Sequence, residues 1–309
     1  MEEFKIVFNQ VFILFIILII GYVAGKFKVL DSNATKVLSE ITLYVTSPMM
    51  VLNAFFIEFS RERLVNALWI IGIGGGMYLL SIIVCAIIYR GFDERISPVL
   101  KFTGIFSNCG YMGLPLLNAL FGPDGVFYGS FYIVVFYIVL WSYGFMMFGG
   151  KGTKKEIIKK VLLNPSLIAV YTGLIIFLFR ISVHSTIRGA VGAVGDMTMP
   201  ISMLIIGGII STVKLPKVFN DWRVYYSSGV RLILMPVLAL ILVRITGTPA
   251  LPGAVVITAL AMPAATSTTM FAEMYDKDSV FSSKCVTVST LLSIIVAPIL
   301  ISLVIKGLV

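Results

Sequence analysis

Long apolar runs separated by short polar segments make up most of the sequence. A helix needs about 20 mostly apolar residues to cross the hydrocarbon core of a membrane, and ten runs of roughly that length occur. The pattern therefore predicts ten membrane-spanning helices. Their predicted bounds are 8–25, 33–57, 64–89, 97–120, 125–148, 161–180, 187–211, 223–245, 252–275 and 281–305.

The composition agrees with a membrane protein and excludes an ordinary soluble one. Hydrophobic residues make up 59% of the 309 residues and charged residues only 13%, whereas charged residues make up about 25% of a typical soluble domain. The formal net charge is +9, but the basic residues lie in short segments between apolar runs. They indicate membrane topology and not nucleic-acid binding. The predicted fold class is an all-α polytopic membrane protein.

The distribution of lysine and arginine orients the predicted helices. The segment KGTKKEIIKK (151–160) holds five lysines, which the positive-inside rule places in the cytoplasm. Alternation along the chain then puts 16 basic residues in five inner loops and 7 in the outer segments, with Arg231 inside a span. This bias predicts a multi-pass protein of the cytoplasmic membrane with both termini on the outer side.

Two predicted spans are interrupted near their middle by glycine, proline and small polar residues. The fourth contains SNCGYMGLP (107–115) and the ninth contains AMPAATSTT (261–269). Proline removes a backbone donor, and freed backbone groups cannot face lipid, so they must be satisfied by protein or line a cavity. Half-helix N-termini created by such breaks favour an anion. A plain proline kink is the alternative for either break taken alone.

The two halves of the chain resemble each other with opposite orientation. FGPDGVF (121–127) aligns with YDKDSVF (275–281), and Pro48 aligns with Pro200. Five spans per half is an odd number, so the second half is inverted relative to the first, which is typical of secondary transporters. The predicted organisation is a first repeat at 1–148, a basic cytoplasmic loop at 149–160 and a second repeat at 161–309.

Three stretches carry a resemblance to a known family. They are NCGYMGLP (108–115) followed by FGPDG (121–125), GDMTMPISMLIIGG (195–208) and AMPAATSTTMFAEMYDKD (261–278). Together they resemble the auxin efflux carrier family, in particular its prokaryotic PIN-like members with a short central loop. The likeness extends from about residue 8 to residue 305.

The resemblance implies a PIN-like, bile-acid-symporter-like fold in which interrupted helices 4 and 9 cross. Helices 1, 2, 6 and 7 would form a scaffold, and helices 3–5 and 8–10 a transport domain. It also implies a homodimer, an elevator-type motion and a small organic anion as substrate, such as malate, malonate or an auxin-like acid. No cofactor is expected, although H⁺ or Na⁺ could be a coupling ion. In the family the asparagine at the crossing contacts the substrate carboxylate, and Asn108 stands at that position.

Candidate substrate-binding residues cluster around the two breaks. Asn108 offers amide donors, with the satisfaction of a freed backbone group as its alternative role, while Pro115 and Pro263 would shape the site. Arg231 could neutralise an acidic substrate, pair with a carboxylate or snorkel to the boundary. The full set is Asn108, Cys109, Gly110, Tyr111, Pro115, Pro263, Ala264, Thr266, Ser267 and Arg231.

Four hydroxyl groups follow the second break, on Thr266, Ser267, Thr268 and Thr269. They could coordinate the substrate or a Na⁺ ion, or hydrogen-bond to carbonyls of their own helix. Two acidic residues in the polar second and seventh spans, Glu40 and Asp196, are candidates for coupling or proton relay. Glu40 has the alternative of an i,i+4 ion pair with Lys36.

Other function classes find less support in the residues. The chain has three scattered cysteines and one histidine, His184, which predicts neither a disulfide framework nor a metal centre. No intramembrane hydrolase motif occurs, so no enzymatic activity is expected. A sodium- or proton-coupled symporter or a cation/proton antiporter of the same architecture is the main alternative to an anion carrier. A receptor or scaffold without flux stays open at this point. Expected partners are the substrate anion, the lipid bilayer and a second copy of the chain.

Overall fold

A computed structural model shows a helical protein and describes residues 2–150, 153–212 and 220–308. Within these ranges no β-strand occurs, and four π-helical segments interrupt the α-helices. The π segments are Thr42–Thr46, Cys109–Gly113, Leu140–Gly144 and Val230–Leu234. The α-helices are α1 Glu2–Lys26, α2 Ser32–Ile41, α3 Ser47–Ala54, α4 Arg61–Ile88, α5 Ser97–Ile105, α6 Leu114–Val139, α7 Phe145–Met147, α8 Lys154–Leu162, α9 Pro165–Leu178, α10 Ser185–Asp196, α11 Thr198–Thr212, α12 Trp222–Gly229, α13 Met235–Thr246, α14 Ala250–Leu260, α15 Ser267–Met274 and α16 Ser279–Leu308.

Six helical stretches in the described residues are long and apolar enough to cross a membrane. Two shorter apolar helices, α9 and α14, accompany them. The protein is therefore a multi-pass membrane protein, while the count of ten crossings stays a prediction. The six stretches are Phe8–Lys26, Arg61–Ile88, Cys109–Met147, Ser185–Thr212, Trp222–Thr246 and Ser279–Leu303.

The basic segment expected to be a loop is helical over much of its length. Thr153 and Glu156 cap the start of α8 reciprocally, with the Glu156 N–H donating to Thr153 Oγ1 at 3.3 Å. The helix of the sixth predicted span, expected from about residue 161, starts a few residues later, at Pro165. Asn164 Oδ1 accepts from the Ser166 N–H at 3.0 Å, so α9 begins after this cap, with Pro165 at its first position. Of the basic segment, residues 151–152 lie outside the described residues, as do residues 213–219 of another predicted inner loop and both terminal residues.

The boundary between the predicted fourth and fifth spans lies at Gly122. This residue has φ 60° and ψ −150° inside α6 and is followed by Pro123. An L-residue with a side chain rarely adopts that conformation, whereas glycine does so freely. The helical run from Leu114 to Val139 is therefore kinked sharply at the place where the sequence predicts two helices to meet.

Helix α1 packs directly against α11 through small residues. A Cβ atom on Gly21 would lie 2.5 Å from the carbonyl oxygen and 2.7 Å from the Cα atom of Leu204. Gly207 likewise faces the backbone of α1 at Leu18. Small residues allow such close backbone contact between membrane helices and so favour their association.

Two clusters of buried apolar side chains position the interrupted segments. The larger cluster is built mainly around α4, α5, α6 and α14. The smaller cluster joins α1 and α11 to residues on both interrupted segments. Its members are Val11, Leu14, Phe15, Leu18, Met112, Leu116, Met203, Ile206, Ile210, Ala261, Met262, Ala297 and Ile301. The interrupted segments therefore contribute residues both to the main core and to the contact with the α1–α11 pair.

Candidate functional site at the crossing of two interrupted helices

The two predicted helix breaks meet and pair through their backbones. Helix α5 ends at Ile105 and α14 ends at Leu260, and helical structure resumes only at Cys109 and at Ser267. The Asn108 N–H donates to the Pro263 carbonyl at 2.7 Å, and the Ala265 N–H donates to the Phe106 carbonyl at 3.0 Å. These bonds frame an antiparallel bridge between Ser107 and Ala264.

This pairing explains how an interrupted helix survives at membrane depth. The backbone groups released by one break are hydrogen-bonded by the other, so they need neither lipid nor solvent. Two further groups find local partners. The Asn108 carbonyl accepts from the Met112 and Gly113 N–H groups at 3.1 and 3.0 Å, and Ser289 Oγ accepts from the Ala264 N–H at 3.2 Å.

The Asn108 side chain is buried at the centre of this pairing. Its residue is only 3% exposed, and its Nδ2 group has no hydrogen-bond partner among the described residues. The alternative role, in which the side chain satisfies the break, is not what the structure shows, since the backbone of Asn108 makes those bonds. A buried amide donor of this kind favours an acceptor as ligand.

The other residues predicted around the first break fall into two groups. Cys109 and Pro115 are buried, at the start of the π segment and in the first turn of α6. Gly110 and Tyr111 are half-buried and remain accessible. The structure therefore brings Asn108, Gly110 and Tyr111 to the place where the helix restarts.

The four hydroxyl groups after the second break also fall into two pairs, one hydrogen-bonded within the protein and one not. Thr268 is fully buried and its Oγ1 donates to the Ala265 carbonyl, and Thr269 Oγ1 shares a 3.2 Å hydrogen bond with Ser282 Oγ. Thr266 and Ser267 are half-buried, and their side chains make no hydrogen bond within the described residues. Only this second pair keeps its hydroxyls free at the start of α15.

Arg231 is fully buried, which excludes snorkelling. Its Nη1 donates to the carbonyls of Gly104 at 2.8 Å and Ile105 at 3.2 Å, and its Nη2 donates to the carbonyl of Leu260. The expectation of a carboxylate partner is wrong, because all three acceptors are backbone carbonyls. They belong to the last residues of α5 and α14, the two helices that end at the breaks.

The two candidate coupling carboxylates lie apart from these contacts. Glu40 and Asp196 are both exposed on the surface of the chain. The expected ion pair between Glu40 and Lys36 does not form; within the described residues the ion pairs are Arg63–Asp124 and Arg223–Asp221.

Residues of α16 support the site but were not predicted from the sequence. Ser289 Oγ accepts a hydrogen bond from the Ala264 N–H, and Ser282 Oγ shares one with Thr269 Oγ1. Both are fully buried. The signal was present in SSKCVTVSTLLS (282–293), where hydroxyl residues recur along an otherwise apolar helix and require polar partners inside the protein.

Comparison with known proteins identifies the family. A family model described as membrane transport protein matches residues 6–301, which is nearly the whole chain. The chain belongs to the membrane transport protein family. This confirms the resemblance of its motifs to the auxin efflux carriers.

Two archaeal relatives align with this chain over nearly its whole length and theirs. An uncharacterized transporter of Methanocaldococcus jannaschii is 24% identical over 302 residues, covering 93% of this chain and 96% of the relative. An uncharacterized transporter of Methanothermobacter thermautotrophicus is 23% identical over 292 residues, covering 92% and 93%. The similarity therefore includes both interrupted segments of this membrane transport protein, from the first break to the second.

Proposed function

We propose that this membrane transport protein is a carrier that binds a small organic anion at the crossing of its two interrupted helices. The observation that carries the proposal is the buried Asn108 amide, whose donor has no partner in the described structure. An anion is the acceptor that suits it, because one helical segment restarts at Cys109, directly after Asn108, and another restarts at Ser267, shortly after the backbone partner Pro263, and helix N-termini favour negative charge.

A mono- or dicarboxylate is the proposed substrate class, for example malate, malonate or an auxin-like acid. Gly110, Tyr111, Thr266 and Ser267 are half-buried on the two segments that pair at Asn108 and Pro263 and would complete the site. A carboxylate accepts several hydrogen bonds at once, which matches one amide and two hydroxyl donors. Pro115 and Pro263 would act by holding the backbone open.

An elevator-type alternating access is the proposed mechanism. In it, helices 3–5 and 8–10 of the ten-span topology move as a transport domain against helices 1, 2, 6 and 7. The small apolar cluster between the α1–α11 pair and the interrupted segments would be the sliding contact, since it holds no charged side chain. The remaining parts of the proposal are a homodimer in the cytoplasmic membrane and the outward position of both termini.

A cation-coupled carrier of the same architecture is the second candidate. An antiporter would need acidic residues at the crossing, but the residues there are Asn108, Cys109 and hydroxyls. The free hydroxyls of Thr266 and Ser267 are the observation in its favour, because oxygen ligands suit Na⁺.

Uptake into proteoliposomes tests the proposal. Purified protein is reconstituted and given labelled malonate, malate or indole-3-acetate, with empty liposomes and heat-inactivated protein as controls. We expect saturable uptake of at least one acid, and competition by unlabelled acid. Flux of Na⁺ or H⁺ without any movement of acid would replace the anion carrier by the antiporter.

A further inference from the structure

The carbonyls at the ends of the two interrupted helices place partial negative charge inside the protein. The last carbonyls of an α-helix have no intrahelical partner, and the C-terminal end carries about half a negative charge. Helices α5 and α14 both end inside the protein, next to each other, at Ile105 and Leu260. Two negative helix ends therefore meet where water does not reach them.

The side chain of Arg231, on a third segment, donates hydrogen bonds to both of these helix ends. It stands on the π segment Val230–Leu234 and reaches the Gly104 and Ile105 carbonyls with Nη1 and the Leu260 carbonyl with Nη2. The planar guanidinium presents several donors in a fixed fork, so it can hold both helix ends together. No carboxylate of the described residues hydrogen-bonds to it, and its charge is balanced by the two helix ends.

Carbonyls at the C-terminal ends of broken helices are the groups with which secondary transporters coordinate a coupling Na⁺. Here the same kind of carbonyl, from both helices, is taken by a guanidinium that cannot dissociate. We propose that Arg231 is a positioning residue that serves as a tethered cation, so the crossing holds together without a free metal cation at these carbonyls. Its consequence for transport, that anion flux needs no Na⁺ at this place, rests on the proposed function.

Chemical rescue of a truncated side chain tests the tethered cation. Arg231→Ala removes the guanidinium and leaves three buried carbonyls without their donor. We expect the melting temperature of the purified protein to fall by about 5 °C or more and to recover in part when millimolar guanidinium or methylguanidinium is added. Arg244→Ala is the matched control, because Arg244 is exposed on α13 of the same helical run. It should show neither effect, and neither should the wild-type protein.

Two further variants keep the test decisive if Arg231→Ala does not fold. Arg231→Lys keeps a cation without the fork and should retain more stability than Arg231→Met, which keeps similar bulk without charge. Wild-type stability in Arg231→Met, or in Arg231→Ala without added guanidinium, would overturn the proposal. So would equal destabilisation of Arg231→Lys and Arg231→Met, since the positive charge would then contribute nothing.

Transport provides an independent arm. Anion uptake by wild-type liposomes should be equal in Na⁺ and in choline buffers, whereas Arg231→Ala should lose uptake and regain part of it with guanidinium. A wild-type uptake that depends on Na⁺, with a dependence that survives Thr266→Val and Ser267→Ala, would contradict the transport consequence. Absence of any wild-type uptake would count against the proposed function alone, because the melting experiment needs no flux.

Discussion

The backbone N–H of Asn108 donates a 2.7 Å hydrogen bond to the carbonyl of Pro263. Proline cannot donate from its own nitrogen, but its carbonyl accepts the donor that the other break releases. The Asn108 N–H is thereby satisfied by a main-chain atom of the other break. The Asn108 side-chain amide is therefore not needed for the pairing, and its Nδ2 group has no partner within the described residues.

Removal of this amide should separate binding from folding. In Asn108→Ala the backbone pairing with Pro263 is retained, so the protein should still fold. The thermal shift produced by small carboxylates should weaken, with an apparent affinity about tenfold lower or more, because a hydrogen bond to a charged group contributes about 1.5–3 kcal/mol. Asn118→Ala, at a half-buried position in α6, is the control and should leave the shift intact. An undiminished carboxylate shift in Asn108→Ala would make Asn108 a structural residue.

The hydroxyls of the second break should differ in their roles. Thr266→Val and Ser267→Ala remove hydroxyls that make no hydrogen bond within the described residues, and should weaken ligand binding while hardly changing the melting temperature. Thr268→Val removes the bond to the Ala265 carbonyl and should do the reverse. Thermal-shift titrations with carboxylate and with Na⁺ measure both quantities in each variant. If Thr268→Val alone abolished ligand binding, the division of the hydroxyls would be wrong.

A methyl group on Gly21 should disturb the contact of α1 with α11. Its Cβ would lie 2.7 Å from the Leu204 Cα atom, so the helices must move apart. We expect Gly21→Ala to cost about 1–3 kcal/mol, the usual effect of overpacking, seen as a lower melting temperature in detergent. Gly72→Ala on α4 is the matched control, since a Cβ there meets nothing within 4 Å. Equal stability of the two variants would show that α1 and α11 can separate at no cost.

Asp221 gives the start of α12 a dependence on pH. Its Oδ1 accepts from the Arg223 N–H and its carboxylate meets the Arg223 guanidinium at 2.6 Å. The Arg223 side chain holds the pKa of this carboxyl below its usual range. A lowered pKa in the folded state adds stability above the unfolded pKa of about 4, and this stability is lost as the pH falls through the folded value.

Asp221→Asn should therefore lower stability only at higher pH. Because the pair is partly exposed, the loss should be about 0.2–1 kcal/mol near pH 7 and should disappear as the pH falls below about 4. Asp221→Ala also removes the helix cap and should cost about 0.5–2 kcal/mol, part of it at every pH. Melting curves between these pH values measure both variants. A difference between wild type and Asp221→Asn that grows on acidification would have the wrong sign.

The positions of the two breaks were predictable because their residues act locally. Gly110, Gly113 and Pro263 disfavour helix in an apolar run; Pro263 lies in the second break, and the two glycines lie in the π segment that directly follows the first. Family membership was also predictable, since the motif around Asn108 is contiguous. Two differences from the predicted helix bounds had local causes: the cap at Asn164 sets the start of α9, and a capping box in the lysine-rich segment starts α8.

The sequence by itself determined that the chain lies in a membrane, that two of its helices are broken and that Asn108 stands at one break. Hydropathy and backbone propensity are properties of neighbouring residues, so they can be read along the chain. Only the tertiary structure decided that the Asn108 N–H donates to the Pro263 carbonyl and that Arg231 binds helix ends and not a carboxylate. It also decided that the Thr268 hydroxyl is hydrogen-bonded while the Thr266 hydroxyl is not. The acceptors in these contacts are backbone carbonyls, which every residue carries alike. For Asn108 and Arg231 the choice of carbonyl therefore depends on how distant segments pack in space.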